Sequence, residues 1–257
     1  MATPTTRPPV GSVARALALL DVLAEHPEGL GVNELARRIG VNASTASRLL
    51  ATIEQHGLVE RPPGGPYRLG LKLVGLADRV LAGLDVRERG RPWLTWLVEQ
   101  TGETATLSVP GGDEAMTIDF VPAASSVVSM ARVGRPSVPH ATAAGKIMLA
   151  FGPGLAALGE SPLTAYTDRT IVDRGRLAAE LERVRADGLA EAAGEREPDL
   201  NALAAPVFDR RGALAAIVGV QGPAARMTLA RRRELHAPLR RAAEEISRAI
   251  GGSQLQG

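Results

Sequence analysis

Arg48 stands in the middle of a segment, Ala43 to His56, whose residue types suit contact with nucleic acid. On a helical wheel Ala46, Leu49, Leu50 and Ile53 share one face. Ser44, Ser47, Arg48, Ala51 and Thr52 fall on the other. Small residues let a helix sit deep in a major groove. Hydroxyls reach phosphates or base edges there, and an arginine pairs bidentately with guanine. Asn42 is the candidate N-cap, and the backbone N–H groups from Asn42 to Ser44 suit a phosphate. Local charge agrees. Between Arg37 and Lys72 the basic residues are Arg37, Arg38, Arg48, Arg61, Arg68 and Lys72, against only Glu54 and Glu60, while the whole chain is near balance with 30 Lys+Arg and 28 Asp+Glu. Taken as pattern alone, such a unit binds DNA or serves as a protein-interaction domain.

The elements that must position Arg48 follow in quick order. Val13, Ala16, Leu17, Leu20, Leu23 and Ala24 recur at helical spacing, which predicts a helix from Ser12, as N-cap, to His26, ended by Pro27 and Gly29. A short helix is expected over Val32 to Ile39, stopped by Gly40, and the helix carrying Arg48 ends at Gly57. Two short strands, Leu58 to Arg61 and Tyr67 to Leu69, flank the turn Pro62-Pro63-Gly64-Gly65-Pro66. Helix, short helix, helix, hairpin is the order of a winged helix-turn-helix. Residues 1–10 read as a disordered tail, 11–71 as this domain and 72–101 as two linker helices, with Asp85 as a candidate cap between them.

From Thr104 the pattern changes. The segments ATLSV, AMTIDFV and VVSMARV have strand character, as do Ala202 to Phe208 and Leu214 to Val220 around an Asp209-Arg210-Arg211-Gly212 turn. Helices are expected from Thr142 to Ala150, from Arg174 to Arg185, and from Thr228 to about Ile250. Residues 102–252 thus read as an α+β domain with a mostly antiparallel sheet flanked by helices.

Composition narrows the chemistry. The chain of 257 residues is 45% hydrophobic but only 3% aromatic, so its core must be aliphatic. With no cysteine, disulfides, thiolate metal sites and cysteine nucleophiles are excluded. No apolar run is long enough to span a membrane, and the run Ala16 to Ala24 is broken by Asp21, so a cytoplasmic location is expected. Gly145-Lys146 lacks the upstream glycine and the following Ser/Thr of a phosphate loop, which leaves Lys146 to hold a helix end or a carboxylate. His26, His56, His140 and His236 have no metal-ligand spacing, and no nucleophile–base pair is evident; no cofactor, metal or enzymatic activity is expected. His140 is a candidate neighbour of a ligand pocket. The Arg231-Arg232-Arg233 and Arg240-Arg241 clusters read as a solvated helix face pairing with Glu234, Glu244 and Glu245.

Taken together, four stretches resemble the IclR family of bacterial regulators: SVARALALLDVLAEHPEGLGVNELARRIGVNASTASRLLATIEQHGLVER (12–61), HATAAGKIMLA (140–150), GLAEAAGEREPDLNALAAPVFDRRG (188–212) and AAIVGVQGP (215–223). The resemblance covers nearly the whole chain in the right order. It implies a sequence-specific DNA-binding transcriptional regulator, working as a homodimer or homotetramer on a pseudo-palindromic operator. It also implies that the C-terminal domain is GAF-like and binds a small organic effector, often an organic or aromatic acid. Carried over by position, Ser44, Thr45, Ser47 and Arg48 contact DNA from the recognition helix, with Arg37, Arg38, Asn42 and Thr52 around them and Arg61 and Arg68 in the wing. The effector pocket lies beside Ala143, Ala144 and Gly145, whose N–H groups at a helix start suit a carboxylate. Ala192, Ala202, Gly219 and Gln221 would face them. Acid-binding members can carry Asp, Cys and Ser where this chain has Ala192, Ala202 and Gly219. A roomier, less polar pocket is therefore expected, suited to a larger or more apolar ligand in place of a small hydroxy- or keto-acid, with Glu195 and Gln221 as its polar contacts. A ligand-free regulator that uses this domain only for oligomerisation or partner binding is the alternative.

Overall fold

A computed structural model describes residues 11–82, 85–124 and 131–251. The chain divides into two compact units, 1–83 and 84–257.

The first unit holds α1 (Gly11–Ala24), α2 (Val32–Arg38), α3 (Ala43–Gln55), a two-stranded antiparallel wing of β1 (Val59–Glu60) and β2 (Arg68–Leu69), and α4 (Lys72–Ala82). Leu19, Leu23, Leu35, Leu50, Ile53, Val59 and Tyr67 are buried together, so one stripe from each of α1, α2 and α3 and one side of the wing close a small core. Helix α1 begins at Gly11, which puts Ser12 inside the helix instead of at its cap. The cap of α3 is as expected: the Asn42 side chain accepts a hydrogen bond from the Thr45 N–H at 2.8 Å. Asn42→Ala should cost about 1 kcal/mol of stability through loss of this bond, measurable as a shift in the urea midpoint. Gly40 and Gly57 end α2 and α3 with φ of +68° and +70°, a conformation in which a side chain is strained.

The second unit is a six-stranded, wholly antiparallel sheet in the order β5-β4-β3-β8-β7-β6. Its strands are β3 (Thr104–Gly111), β4 (Glu114–Val121), β5 (Pro136–Ser137), β6 (Ala190–Ala193), β7 (Leu200–Phe208) and β8 (Leu214–Pro223). The helices are α5 (Asp85–Thr101), α6 (Ala143–Phe151), α7 (Arg174–Asp187) and α8 (Leu229–Ala249). This is the helix-flanked antiparallel, GAF-like layout that the sequence implied. Of the expected strand VVSMARV, Val127 to Met130 lie outside the described residues and Ala131 to Val133 are not in a strand. The short strand β6 was not anticipated.

Strand alternation sorts the sheet into two faces. On β3, Leu107 packs beside Gly90 of α5 and Ile246 of α8. Its neighbours Thr106 and Ser108 therefore face the other side, where α6 and α7 build an aliphatic core of Ile147, Met148, Leu149, Leu177, Leu181 and Val184. Expected as a linker, α5 is instead a layer of this second unit. It buries Val86, Gly90, Leu94, Leu97 and Thr101, while α4 belongs to the first unit. At its start, Asp85 holds Arg89 in an ion pair of 2.8 Å, one turn on.

Candidate functional sites

Helix α3 presents Ser44, Ser47, Arg48, Ala51 and Thr52 to solvent, while Ala46, Leu50 and Ile53 are buried and Thr45 is half-buried. The amphipathic division read from the sequence is therefore present. Two hydroxyls are already engaged: Ser44 donates to Asn42 Oδ1 at 2.8 Å, and Thr52 donates to the Arg48 carbonyl at 3.0 Å. The Arg48 guanidinium has no hydrogen-bond or ion-pair partner among the described residues, so its five donors face outward.

The other arginines differ. Arg37 clasps Glu34 with both Nε (2.9 Å) and Nη2 (2.6 Å), and Arg38 reaches the same carboxylate at 2.7 Å. These hydrogen bonds hold the half-buried Glu34 carboxyl down at about 2. With Glu34 counted, residues 34–72 carry six basic and three acidic side chains, a weaker excess than the stretch from Arg37 onward suggests. Arg61 donates to the Gly65 carbonyl at 3.0 Å and lies 4.9 Å from the Tyr67 ring centre, which fastens the wing turn. Arg68 donates to the Glu28 carbonyl at 3.1 Å. Both remain exposed and keep spare donors for a phosphate.

The second unit contains a cavity of about 70 Å³ between the inner sheet face and α6. Register explains its walls. Ala204 pairs with Gly219, and Gly219 with Thr106, giving one row across the sheet. Ala192, Ala202 and Gln221 form the next. Glycine at 219 keeps the first row open, because a Cβ there would come within 2.8 Å of Thr106 Oγ1. Ala143 and Ala144 close the cavity from the start of α6, and Glu195 closes it from beyond β6. The first two N–H groups of α6, at Ala143 and Ala144, have no partner within the helix.

Seven of the eight expected residues thus line one cavity: Ala143, Ala144, Ala192, Glu195, Ala202, Gly219 and Gln221. Gly145 is the exception. Its N–H is taken by the capping hydroxyl of Thr142 at 3.0 Å, and its Cα lies so close to the chain at Val138 and Pro139 that an added Cβ would sit 2.6 Å from Pro139 backbone atoms. It is a packing glycine and leaves only two helix N–H groups for a ligand. Nor does His140 line the cavity; it is buried against Tyr166, with Nε2 2.9 Å from the Thr164 carbonyl oxygen.

The wall is mostly apolar, as the small residues at 192, 202 and 219 suggest, but it carries polar groups beyond Glu195 and Gln221. Thr106, Ser108 and Thr117 offer hydroxyls from β3 and β4, and Arg135, Arg196 and Glu197 add charge. Glu197 bridges the two arginines. Burial and the neighbouring Arg135 lower the Arg196 pKa. Hydroxyls at alternate positions of β3, Thr106 and Ser108 following Thr104, were the available sequence signal. Arg135 and Arg196 gave none, since they meet only through tertiary folding.

Behind the cavity, Lys146 is 1% exposed. Its ammonium donates to Glu195 Oε1 at 2.7 Å, to the Glu191 carbonyl at 2.8 Å and to Glu180 Oε1 at 3.3 Å. Burial lowers its pKa, an effect that Glu195 partly offsets. The expectation that Lys146 holds a carboxylate is met twice over.

A helix with a polar exposed face, packed on α1 and α2 beside a wing, defines a DNA-binding protein of the winged-helix class, here followed in the chain by a domain with a partly open cavity at the start of α6. Residues 12–63 match the IclR helix-turn-helix domain and residues 78–248 match the bacterial transcriptional regulator IclR C-terminal domain. The chain belongs to the IclR family of transcriptional regulators. It is 31% identical to the regulator XynR of Escherichia coli K12 over 254 residues, covering 95% of this chain and 98% of XynR. It is 37% identical over 214 residues to the Mycobacterium tuberculosis regulator Rv1719, covering 82% of this chain and 81% of that one. A crystal structure of an IclR regulator from Silicibacter superposes with a TM-score of 0.81 at 31% identity, over 96% of this chain and 98% of that one. No helix among the described residues is long and apolar enough to cross a membrane.

Proposed function

We propose that the protein is an effector-controlled, sequence-specific regulator acting in the cytoplasm. Two copies place their α3 helices in successive major grooves of a pseudo-palindromic operator. Arg48 reads a base, Ser47 and the α3 start contact phosphate or base edges, and Arg37, Arg38, Arg61 and Arg68 make weaker backbone contacts. Self-association as a dimer or tetramer is supported by apolar side chains left exposed in the first unit, Val13 and Leu17 one turn apart on α1 and Leu71, Val74 and Leu76 at α4. A small organic acid in the second unit shifts the balance between DNA-competent and DNA-incompetent states by binding one more tightly than the other. The observation that carries the effector reading is the convergence of seven sequence-expected residues on one cavity at the start of α6. The protein then acts by binding, without catalysis.

Selection of DNA sequences from a random library at stated salt tests this. Recovery of a two-fold motif is expected, with half-sites separated by about one helical turn. No enrichment, with and without candidate acids, overturns the DNA-reading assignment. A purely oligomerising second domain would instead give the motif but no response to any acid.

A further inference from the structure

Strand β6 separates the α6 cavity from a second, larger hollow. Its side chains alternate between the two: Ala192 lines the cavity, whereas Glu191 and Ala193 line a groove of about 540 Å³ between α7 and α8. That volume falls in the range of small-molecule sites, roughly 300–1,000 Å³. Among the described residues Glu195 alone belongs to both walls. Helix α7 turns one stripe to the groove, Arg176, Glu180, Arg183 and Asp187. Three of the groove's four carboxylates are already paired. Glu180 binds Lys146 and Arg183, Glu195 binds Lys146, and Glu191 binds Arg232 and His236. The arginines differ. Arg169, Arg176 and Arg240 line the same groove, are exposed and have no ion-pair partner among the described residues. Arg240 gives one hydrogen bond to the Asp187 carbonyl at 2.8 Å, which ties it to the end of α7. Arg169 lies against Gly194, where an added Cβ would come within 3.1 Å of its Nη1. The Asp187 carboxylate is the one negative group left to set against these three cations, so two positive charges stay unneutralised.

We propose that this groove is a second ligand site, separate from the α6 cavity, for an organic phosphate ester. The charge surplus of two matches the phosphate dianion. Guanidinium forks suit phosphate oxygens, and three of them on α7, α8 and the segment before α7 approach from different elements. A monoanion leaves part of the surplus unmet. The carbon skeleton of the ester lies on the apolar part of the wall, Ile171, Leu189 and Ala193. The paired carboxylates have no cation to release to the ligand, and they keep Lys146 and Arg183 engaged, so Arg169, Arg176 and Arg240 carry the binding.

Isothermal titration of the full-length chain at about pH 7.5 tests the assignment with three skeletons: glucose 6-phosphate, phenyl phosphate and adenosine 5′-phosphate, each beside its sulfate ester and its parent alcohol. Inorganic phosphate is the further control. On the skeleton that fits best, the phosphate ester should bind with a Kd below about 1 mM and at least about tenfold tighter than the sulfate ester or the alcohol. The double variant Arg169→Gln with Arg176→Gln breaks no ion pair of the fold and should weaken that binding at least about tenfold. Arg211→Gln with Arg233→Gln removes the same charge from exposed positions outside the groove and should change it less than about threefold. Equal losses in the two double variants, or unchanged affinity in the groove variant, overturn the site. A sulfate ester that binds as tightly as its phosphate overturns the dianion, and inorganic phosphate that matches every ester overturns the organic ligand. Failure of every ester to bind at about 10 mM overturns the proposal whole.

Discussion

Arg48→Ala is expected to weaken binding to the selected operator about 5- to 150-fold, or about 1–3 kcal/mol, and to relax base preference at one position in each half-site. The reasoning is comparative. Arg37 and Arg38 share Glu34, Arg61 clamps the wing turn and Arg68 holds the Glu28 carbonyl. Arg48 alone of these five has no such partner among the described residues, and it stands between Ser44, Ser47 and Ala51 on the outward face of α3. Small neighbours allow close approach and an unencumbered guanidinium allows bidentate readout. Arg37→Ala is the contrast. It should reduce affinity evenly across sequences and lower the salt slope by about one. Quantitative footprinting over a series of salt concentrations separates the two. An Arg48→Ala protein with unchanged sequence preference would refute base reading at this position.

The second large effect concerns Lys146→Met, which should destabilise the second unit by about 3–5 kcal/mol. Methionine fills a similar volume, but Glu195 is then a nearly buried carboxylate without its cation. Glu180 still has Arg183. The double change Lys146→Met with Glu195→Gln removes both charges and should recover most of the loss, since a buried pair replaced as a unit is close to neutral. Urea unfolding followed by tryptophan fluorescence reports on this unit, because both tryptophans, Trp93 and Trp96, lie on α5. A double variant no more stable than the single one would show that Lys146 acts through the Glu191 carbonyl and not through Glu195. The pH dependence has a definite sign. The native Lys146 pKa is below its ordinary value, so the unfolded chain binds the proton more tightly. Between the native pKa and the unfolded value the Lys146 contribution to stability rises with pH, and the slope should vanish in Lys146→Met.

Local physics was the legible part of this molecule. The caps at Asn42 and Thr228 are side chain–backbone bonds spanning three residues, so sequence suffices to find them. The face of α3 follows from helical spacing in the same way. Ser12 failed as a cap because the backbone is already helical at Gly11, and a hydroxyl cannot cap from inside a helix. Strand β6, Ala190–Ala193, escaped notice because four residues rich in alanine carry no strand preference; pairing with β7 imposes the conformation. Seven cavity residues were found through family resemblance, not through spacing. Gly145 was misassigned because a glycine at a helix start serves equally well for ligand approach and for chain packing, and only the nearness of Val138 and Pro139 decides. The cavity charge at Arg135 and Arg196 was out of reach, as their common partner Glu197 lies 62 residues from Arg135.

Strand β6 ends the sheet, and among the described residues one side of its backbone has no neighbouring strand. Such a margin is a template on which another polypeptide can add, and folded chains survive in crowded cells by making that margin unattractive. Lys146 does so here, since its ammonium occupies the Glu191 carbonyl, while Glu191 itself binds Arg232 and His236 at 2.8 and 2.9 Å. The same lysine that lies behind the cavity therefore also occupies one acceptor on this strand. Loss of Lys146 would be felt first during biosynthesis, as low recovery of soluble protein, before any failure to respond to an effector could be observed.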